Sequence, residues 1–170
     1  MKEEKSNRGN PSPKQIKETI NLLQKVLIAD EFIVTGSFAL FRYGLYPTKA
    51  IQDLDILLVN PTEGTMCLIK GLMKDEPAKT STKGKGELKA IFMFNGVKVD
   101  VFSVKLEPFV IMDGVKYATI THIINAKKEV GRLKDFTALH YMSKIFYNNE
   151  TYNHKIQAGD FLIENNDYPE

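Results

Sequence analysis

The sequence predicts an α+β fold with α/β-like order, one mixed β-sheet flanked by helices. Three observations carry this expectation. The apolar run Phe32–Thr35 meets a Gly36–Ser37 turn and then the helix-forming stretch Phe38–Tyr43, so a buried strand feeds a helix directly. Two pairs of apolar-rich runs are each split by a two-residue turn signal, Asn95–Gly96 and Asp113–Gly114, which predicts two hairpins. An amphipathic stretch near the start supplies a helix to cover one sheet face.

That first helix opens at Ser12–Pro13, a capping residue followed by the residue best tolerated in a first turn, with Gln15 at the capping-box position. Ile16, Ile20, Leu23 and Leu27 then recur at helical spacing, so the helix should run to about Ala29, with Val26 and Ile28 broadening its apolar stripe. After the strand, turn and helix of Phe32–Tyr43 comes a second strand, Asp53–Val59, ended by Asn60–Pro61. Thr62 is placed to cap a helix through about Lys74, with Met66, Ile69, Leu72 and Met73 on its apolar side. The polar stretch Lys74–Glu87 reads as an exposed loop whose lysines could meet phosphate or simply solvent.

Leu88–Phe94 and Val97–Val104 form the first predicted hairpin, and Phe109–Met112 and Val115–Ala118 the second. Thr121 is the expected cap of a helix ending near Val130, with Gly131 as its C-cap. Asp135 is the expected cap of a last helix through Tyr147, with Phe136, Leu139, Met142 and Phe146 on its apolar face. The expected organisation is a mobile segment at 1–11, a single domain at 12–147 and a C-terminal tail at 148–170. A chain of 170 residues with 43% hydrophobic content can bury a core of that size.

Charge does not demand a nucleic-acid partner. The formal net charge is only +2, so lysines would have to gather on one face to bind a polynucleotide. The single cysteine, Cys67, cannot form an intrachain disulfide and is read as a core residue of its helix. No run reaches the roughly 20 apolar residues that would cross a bilayer, and the polar start lacks a secretory core, so a soluble cytoplasmic protein with no membrane partner is expected. His122, His140 and His154 show no zinc spacing, and His140 is read as a packing or surface residue.

The chemistry concentrates in Phe32–Asn60. Asp53 and Asp55 flank Leu54, so on a strand both carboxylates face one way and Leu54 the other. Two adjacent carboxylates repel, and must be solvated, protonated or neutralised by a cation. Carboxylate and phosphate oxygens suit Mg²⁺, with Mn²⁺ as an alternative. Gly36–Ser37 alone is an ordinary turn; beside the two acids, Ser37 and the first amides of the next helix offer a place for phosphate oxygens. Asp100 lies on the strand face shared with Lys98 and Phe102. Two readings of it stay open, a solvated or edge position and a third carboxylate beside Asp53 and Asp55.

With these residues in view, the chain resembles the nucleotidyltransferase superfamily that includes DNA polymerase beta, and most closely its small bacterial branch that includes the toxins of abortive-infection systems. Gly36, Ser37, Asp53, Asp55 and Asp100 match the family pattern in order, and Lys127, Arg132, Lys134 and Asp135 match a lysine, arginine and lysine–aspartate run of that branch. Together they span about Phe32–His140. The sequence departs from the pattern before the first acid, where Lys49 stands for an arginine and Ile51 for a hydroxyl residue.

The resemblance implies a minimal nucleotidyltransferase fold and metal-dependent transfer of a nucleoside monophosphate from a nucleoside triphosphate, such as ATP, to a hydroxyl acceptor. Asp53, Asp55 and Asp100 would be the catalytic and metal-holding residues, and Gly36, Ser37, Lys49, Lys127, Arg132 and Lys134 the nucleotide-binding ones. RNA, a protein or a small molecule could be the acceptor, and a protein partner, as in a toxin–antitoxin pair, fits the branch. The alternative is a catalytically inactive domain that binds nucleotide or nucleic acid, or serves in assembly. Arg132 has its own second reading, an ion pair with Asp135 that stabilises a helix junction.

Overall fold

Asp53–Val59 (β2) is the strand from which the sheet grows, because Leu54, Ile56, Leu57 and Leu58 leave it almost no face for water. The computed structural model of the protein describes residues 9–27, 31–46, 51–73, 81–82 and 86–148. Phe32–Thr35 (β1) lies antiparallel on one side of β2, and Val97–Val104 (β5) lies parallel on the other. Gly86–Phe94 (β4) and Ser81–Thr82 (β3) extend the β5 side, while Phe109–Met112 (β6) and Val115–Ala118 (β7) extend the β1 side. Among the described residues the result is one seven-stranded mixed sheet, in the order β3-β4-β5-β2-β1-β7-β6.

Both hairpins form where the turn chemistry predicts. Asn95 and Gly96 have φ of +51° and +74°, and Asp113 and Gly114 have +54° and +72°, the left-handed pair that a two-residue turn between twisted strands requires. Pro13–Val26 (α1) lies across the sheet and ties down both turns. The Gln15 side chain donates to the Asn95 carbonyl at 3.1 Å, Lys17 pairs with Asp113 at 2.7 Å, and Gln24 donates to the Gly114 carbonyl at 3.2 Å. Its apolar stripe, Ile16, Ile20 and Leu23, is fully buried. The Ser12 hydroxyl accepts from the Gln15 amide, as its cap role requires.

Gly36–Arg42 (α2) begins at the glycine itself, two residues earlier than Phe38. Gly36 has φ of +71°, and a Cβ there would stand 2.3 Å from Asp55 Oδ2, so the residue is glycine for both backbone and space. Glu63–Leu72 (α3) is capped by the Thr62 hydroxyl and buries Thr65 and Ile69. Cys67 faces solvent rather than the core, because Thr65 and Ile69 set the inward face and Cys67 sits between them on the other side.

Ile120–Val130 (α4) is capped by Thr119 rather than Thr121, the Thr119 hydroxyl accepting from the His122 amide, and it ends at Gly131 in the left-handed conformation. Leu133–Asn148 (α5) follows at once. Asp135 is not its cap but sits in its first turn and reaches back, accepting from the Arg132 amide at 3.1 Å and from Arg132 Nε at 2.8 Å, with a second guanidinium nitrogen 3.2 Å from Oδ1. This is the reciprocal half of a capping box. Asp135, Ala138 and Met142 form the buried face of α5, and Phe136 is left exposed. The expected loop over 74–87 is not loop where it is described: Ser81–Thr82 pairs antiparallel with Gly86 and Glu87 as an edge hairpin, a pairing set by the neighbouring sheet strand rather than by any apolar pattern of its own. The expected segment before residue 9, the first helix beyond Leu27, Lys49, the rest of the 74–87 stretch, His154 and the tail beyond 148 lie outside the described residues.

Asp135 is fully buried, with Lys127 Nζ 3.6 Å from Oδ1 in addition to the Arg132 fork. Burial by itself would raise its pKa, but the Arg132 bonds and the Lys127 charge outweigh that and hold it below the ordinary carboxylate value. A lowered folded-state pKa makes the linked stability complete above the unfolded value and lets it fade as pH falls below that value. Asp135→Asn should therefore cost about 3 kcal/mol in urea denaturation at neutral pH, and the gap to the wild type should close as pH falls below the ordinary carboxylate range. Gly36→Ala should cost about 2 kcal/mol from its left-handed backbone and the Asp55 clash together, measured in the same way.

Candidate metal and phosphate site

Parallel pairing of β2 with β5 brings the acids together. In the register, Asp55 stands directly opposite Asp100 and Asp53 directly opposite Lys98. Because Asp53 and Asp55 share one face of β2, and Lys98 and Asp100 one face of β5, the four side chains form a two-by-two patch on the sheet. One carboxylate oxygen from each of Asp53, Asp55 and Asp100 lies within 4.8 Å of the other two. Asp100 is thus the third member of the acid cluster, and the edge position open to it from sequence is not where it lies: β5 is internal, between β4 and β2.

Lys98 is the residue that sequence reasoning passed over. Its Nζ is 3.6 Å from Asp53 Oδ2 and 3.5 Å from Asp100 Oδ1. Partial burial pulls its pKa down, but the Asp100 and Asp53 carboxylates together push it above the ordinary lysine value. Its place two residues before Asp100 was a visible signal, although the partner across the strand was not.

Around the acids stand the residues of α2 and of the α4–α5 junction. Ser37, Tyr46, Lys127, Arg132 and Lys134 line a small pocket with the three carboxylates, about 40 Å³ in volume. Gly36 lies behind it, against the Asp55 carboxylate. Lys127 is buried, its ammonium between Asp135 and the Tyr46 ring, whose centroid is 5.8 Å away. The Arg132–Asp135 pair anticipated as a second reading is formed. The Asp135 bond leads the effects that raise the Arg132 pKa, and the charges of Asp55 and Asp53 add to it. Arg132 is therefore fixed on one side by Asp135 while its field falls on the acid cluster. Ile51 is fully buried and serves the core, so the position that departs from the family pattern carries no polar group toward the acids.

A wider cleft of about 400 Å³ adjoins the small pocket and shares Ser37, Tyr46, Asp53 and Lys134 with it. Asn10, Gln52, Leu133 and Thr137 complete its wall. Volume alone does not single out this place. Another cleft of about 410 Å³, between the end of α1 and the β6–β7 hairpin, is as large but contains none of the acid cluster. His140 is exposed, and His122 is paired with Glu107, its pKa lowered chiefly by burial; neither lines the acid pocket.

No protein-family model and no curated protein matches the sequence. Among solved structures, an antigenic nucleotidyltransferase-like protein from Paracoccidioides brasiliensis aligns with a TM-score of 0.50 at 14% identity, over 87% of this chain and 88% of the other. A candidate nucleotidyltransferase from Thermotoga maritima aligns with a TM-score of 0.46 at 16% identity, over 73% of this chain and 91% of the other. At such identity the likeness is one of backbone alone. The chain has a nucleotidyltransferase-like α+β fold, and a cluster of three acids suited to a metal ion lies on its central strands.

Proposed function

We propose that the protein is a metal-dependent nucleotidyltransferase that moves a nucleoside monophosphate from a nucleoside triphosphate to a hydroxyl acceptor. The observation that carries this reading is the convergence of Asp53, Asp55 and Asp100 within 4.8 Å, beside Ser37 and the cations of the α4–α5 junction. Three carboxylates at that separation form an all-oxygen donor set suited to a hard divalent ion such as Mg²⁺ or Mn²⁺. Asp53, Asp55 and Asp100 would hold it. When bound, such an ion supplies charge neutralisation and polarisation of phosphate oxygens.

The remaining groups belong to the chain itself. Ser37 and the neighbouring amides would donate to phosphate oxygens, and Lys127, Arg132 and Lys134 would offset their charge. Lys49 would join them from outside the described residues. Arg132 is pre-oriented by Asp135, so little side-chain freedom is lost when it acts. Asp100 would take the proton of the acceptor hydroxyl as its oxygen attacks the α-phosphorus and pyrophosphate leaves. The adjoining cleft, about 400 Å³, is in the range of small-molecule sites and would receive the nucleoside. The run of Lys127, Arg132, Lys134 and Asp135 supports placement in the small bacterial branch that includes abortive-infection toxins, with residues 12–147 as the working domain.

A second reading is a nucleotide-binding or assembly domain without turnover. It is favoured by Lys98 bridging Asp53 and Asp100 and by the commitment of Lys127 and Arg132 to Asp135. Titration of a nucleoside triphosphate with and without Mg²⁺ tests the shared part of both. Binding should depend on the metal and weaken about a hundredfold in Asp53→Asn or Asp55→Asn; equal binding without metal would exclude the metal-dependent transferase and leave the second reading in its metal-independent form. Pyrophosphate release with an acceptor panel then separates them, and its absence at intact metal-dependent binding selects the second.

A further inference from the structure

We infer that Lys98 is a tethered cation occupying one of the ion positions of the acid cluster, so that the protein without nucleotide takes a single divalent ion rather than two. This role rests on the divalent-ion reading of the three acids and deepens it.

The geometry is specific. Lys98 stands opposite Asp53 in the β2–β5 register and two residues before Asp100 on its own strand, so its side chain rises on the same face as both. Its ammonium lies 3.6 Å from an Asp53 oxygen and 3.5 Å from an Asp100 oxygen, bridging two carboxylates as an ion in that gap would. The gap between Asp53 and Asp55 along β2 is not bridged in this way by Lys98. Charge on the shared β2–β5 face leads the same way. Among the side chains that rise from these two strands, three carboxylates carry three negative charges and Lys98 offsets one, which leaves two for one divalent cation; Lys127, Arg132 and Lys134 on the pocket wall add positive charge and further disfavour a second ion before a triphosphate arrives. A second divalent ion would have to displace the ammonium, which is unfavourable until a triphosphate brings further negative charge. The ammonium is tethered on a strand held in the middle of the sheet, so it cannot diffuse away as a free counter-ion would.

Titration with Mn²⁺, following the free ion by electron paramagnetic resonance, tests this on the full chain in the absence of nucleotide. The wild type and Lys98→Arg should each bind one Mn²⁺. Lys98→Met should bind two, or bind the first roughly tenfold more tightly because the competing charge is gone. Lys98→Gln, which keeps a polar side chain at this half-exposed position, should behave as Lys98→Met does. The same stoichiometry and affinity in wild type and both neutral variants would overturn the role of Lys98 while leaving the metal site intact. Two ions in the wild type would overturn it as well. No Mn²⁺ binding by the wild type beyond that of Asp53→Asn would overturn the metal reading itself, a result readily told apart from the others.

Discussion

Three carboxylates held on two adjacent strands repel one another, and the rest of this structure is arranged around that repulsion. At the separation found here, each pair of like charges costs about 3 kcal/mol at the effective dielectric of a protein surface. Such a cluster survives only where the backbone is too well fixed to spread and positive charge stands nearby. Both conditions are met. Asp53 and Asp55 sit on a strand whose next three positions, Ile56, Leu57 and Leu58, are buried side chains, and Asp100 sits on its parallel neighbour. The sheet cannot relieve the crowding without giving up its core.

Positive charge reaches the cluster from two directions. Lys98 comes from within the sheet and touches two of the acids. Arg132 comes from the α4–α5 junction, where a fourth acid, Asp135, fixes its guanidinium plane from behind. Asp135 therefore acts as an organiser of cations: it is fully buried, draws in Lys127 as well as Arg132, and closes the first turn of α5 through the Arg132 amide. A buried carboxylate with these partners has its charge satisfied, which is why the junction tolerates it. The same contacts that stabilise a helix start also position charge over the acid patch.

On the opposite side, the chain approaches the acids through its backbone. Gly36 brings the β1–α2 turn so close to Asp55 that no side chain fits between them. Ser37 follows on the wall of the same pocket, with Tyr46 beside Lys127 closing part of the rim. The site is small and polar, and it borders a cleft large enough for a nucleoside. The comparably sized cleft by the β6–β7 hairpin lacks this concentration of opposed charges, which distinguishes a chemical site from a gap in packing.

Much of this was legible in the amino-acid sequence because the relevant signals are local. Period-two and helical patterns and the Asn–Gly and Asp–Gly turns marked the elements, and Ser12 and Thr62 marked two helix starts. The errors were also local in kind. Cys67 and Phe136 lie in helices whose burial is decided by which side chains meet the sheet or the neighbouring helix, and Thr119 and Thr121 are equally good caps until the chain before them is placed. Asp53 and Asp55 had to share a face, since that follows from strand geometry alone. Local pattern was enough for the helices and for every strand but the short β3, Ser81–Thr82, and for the shared face of Asp53 and Asp55. Packing across the chain set the rest: β5 pairs parallel with β2 in the register that puts Asp100 against Asp55 and Lys98 against Asp53, and Asp135 holds Arg132. Strand register and helix docking are settled by contacts between residues far apart in the chain, and no short-range pattern encodes them.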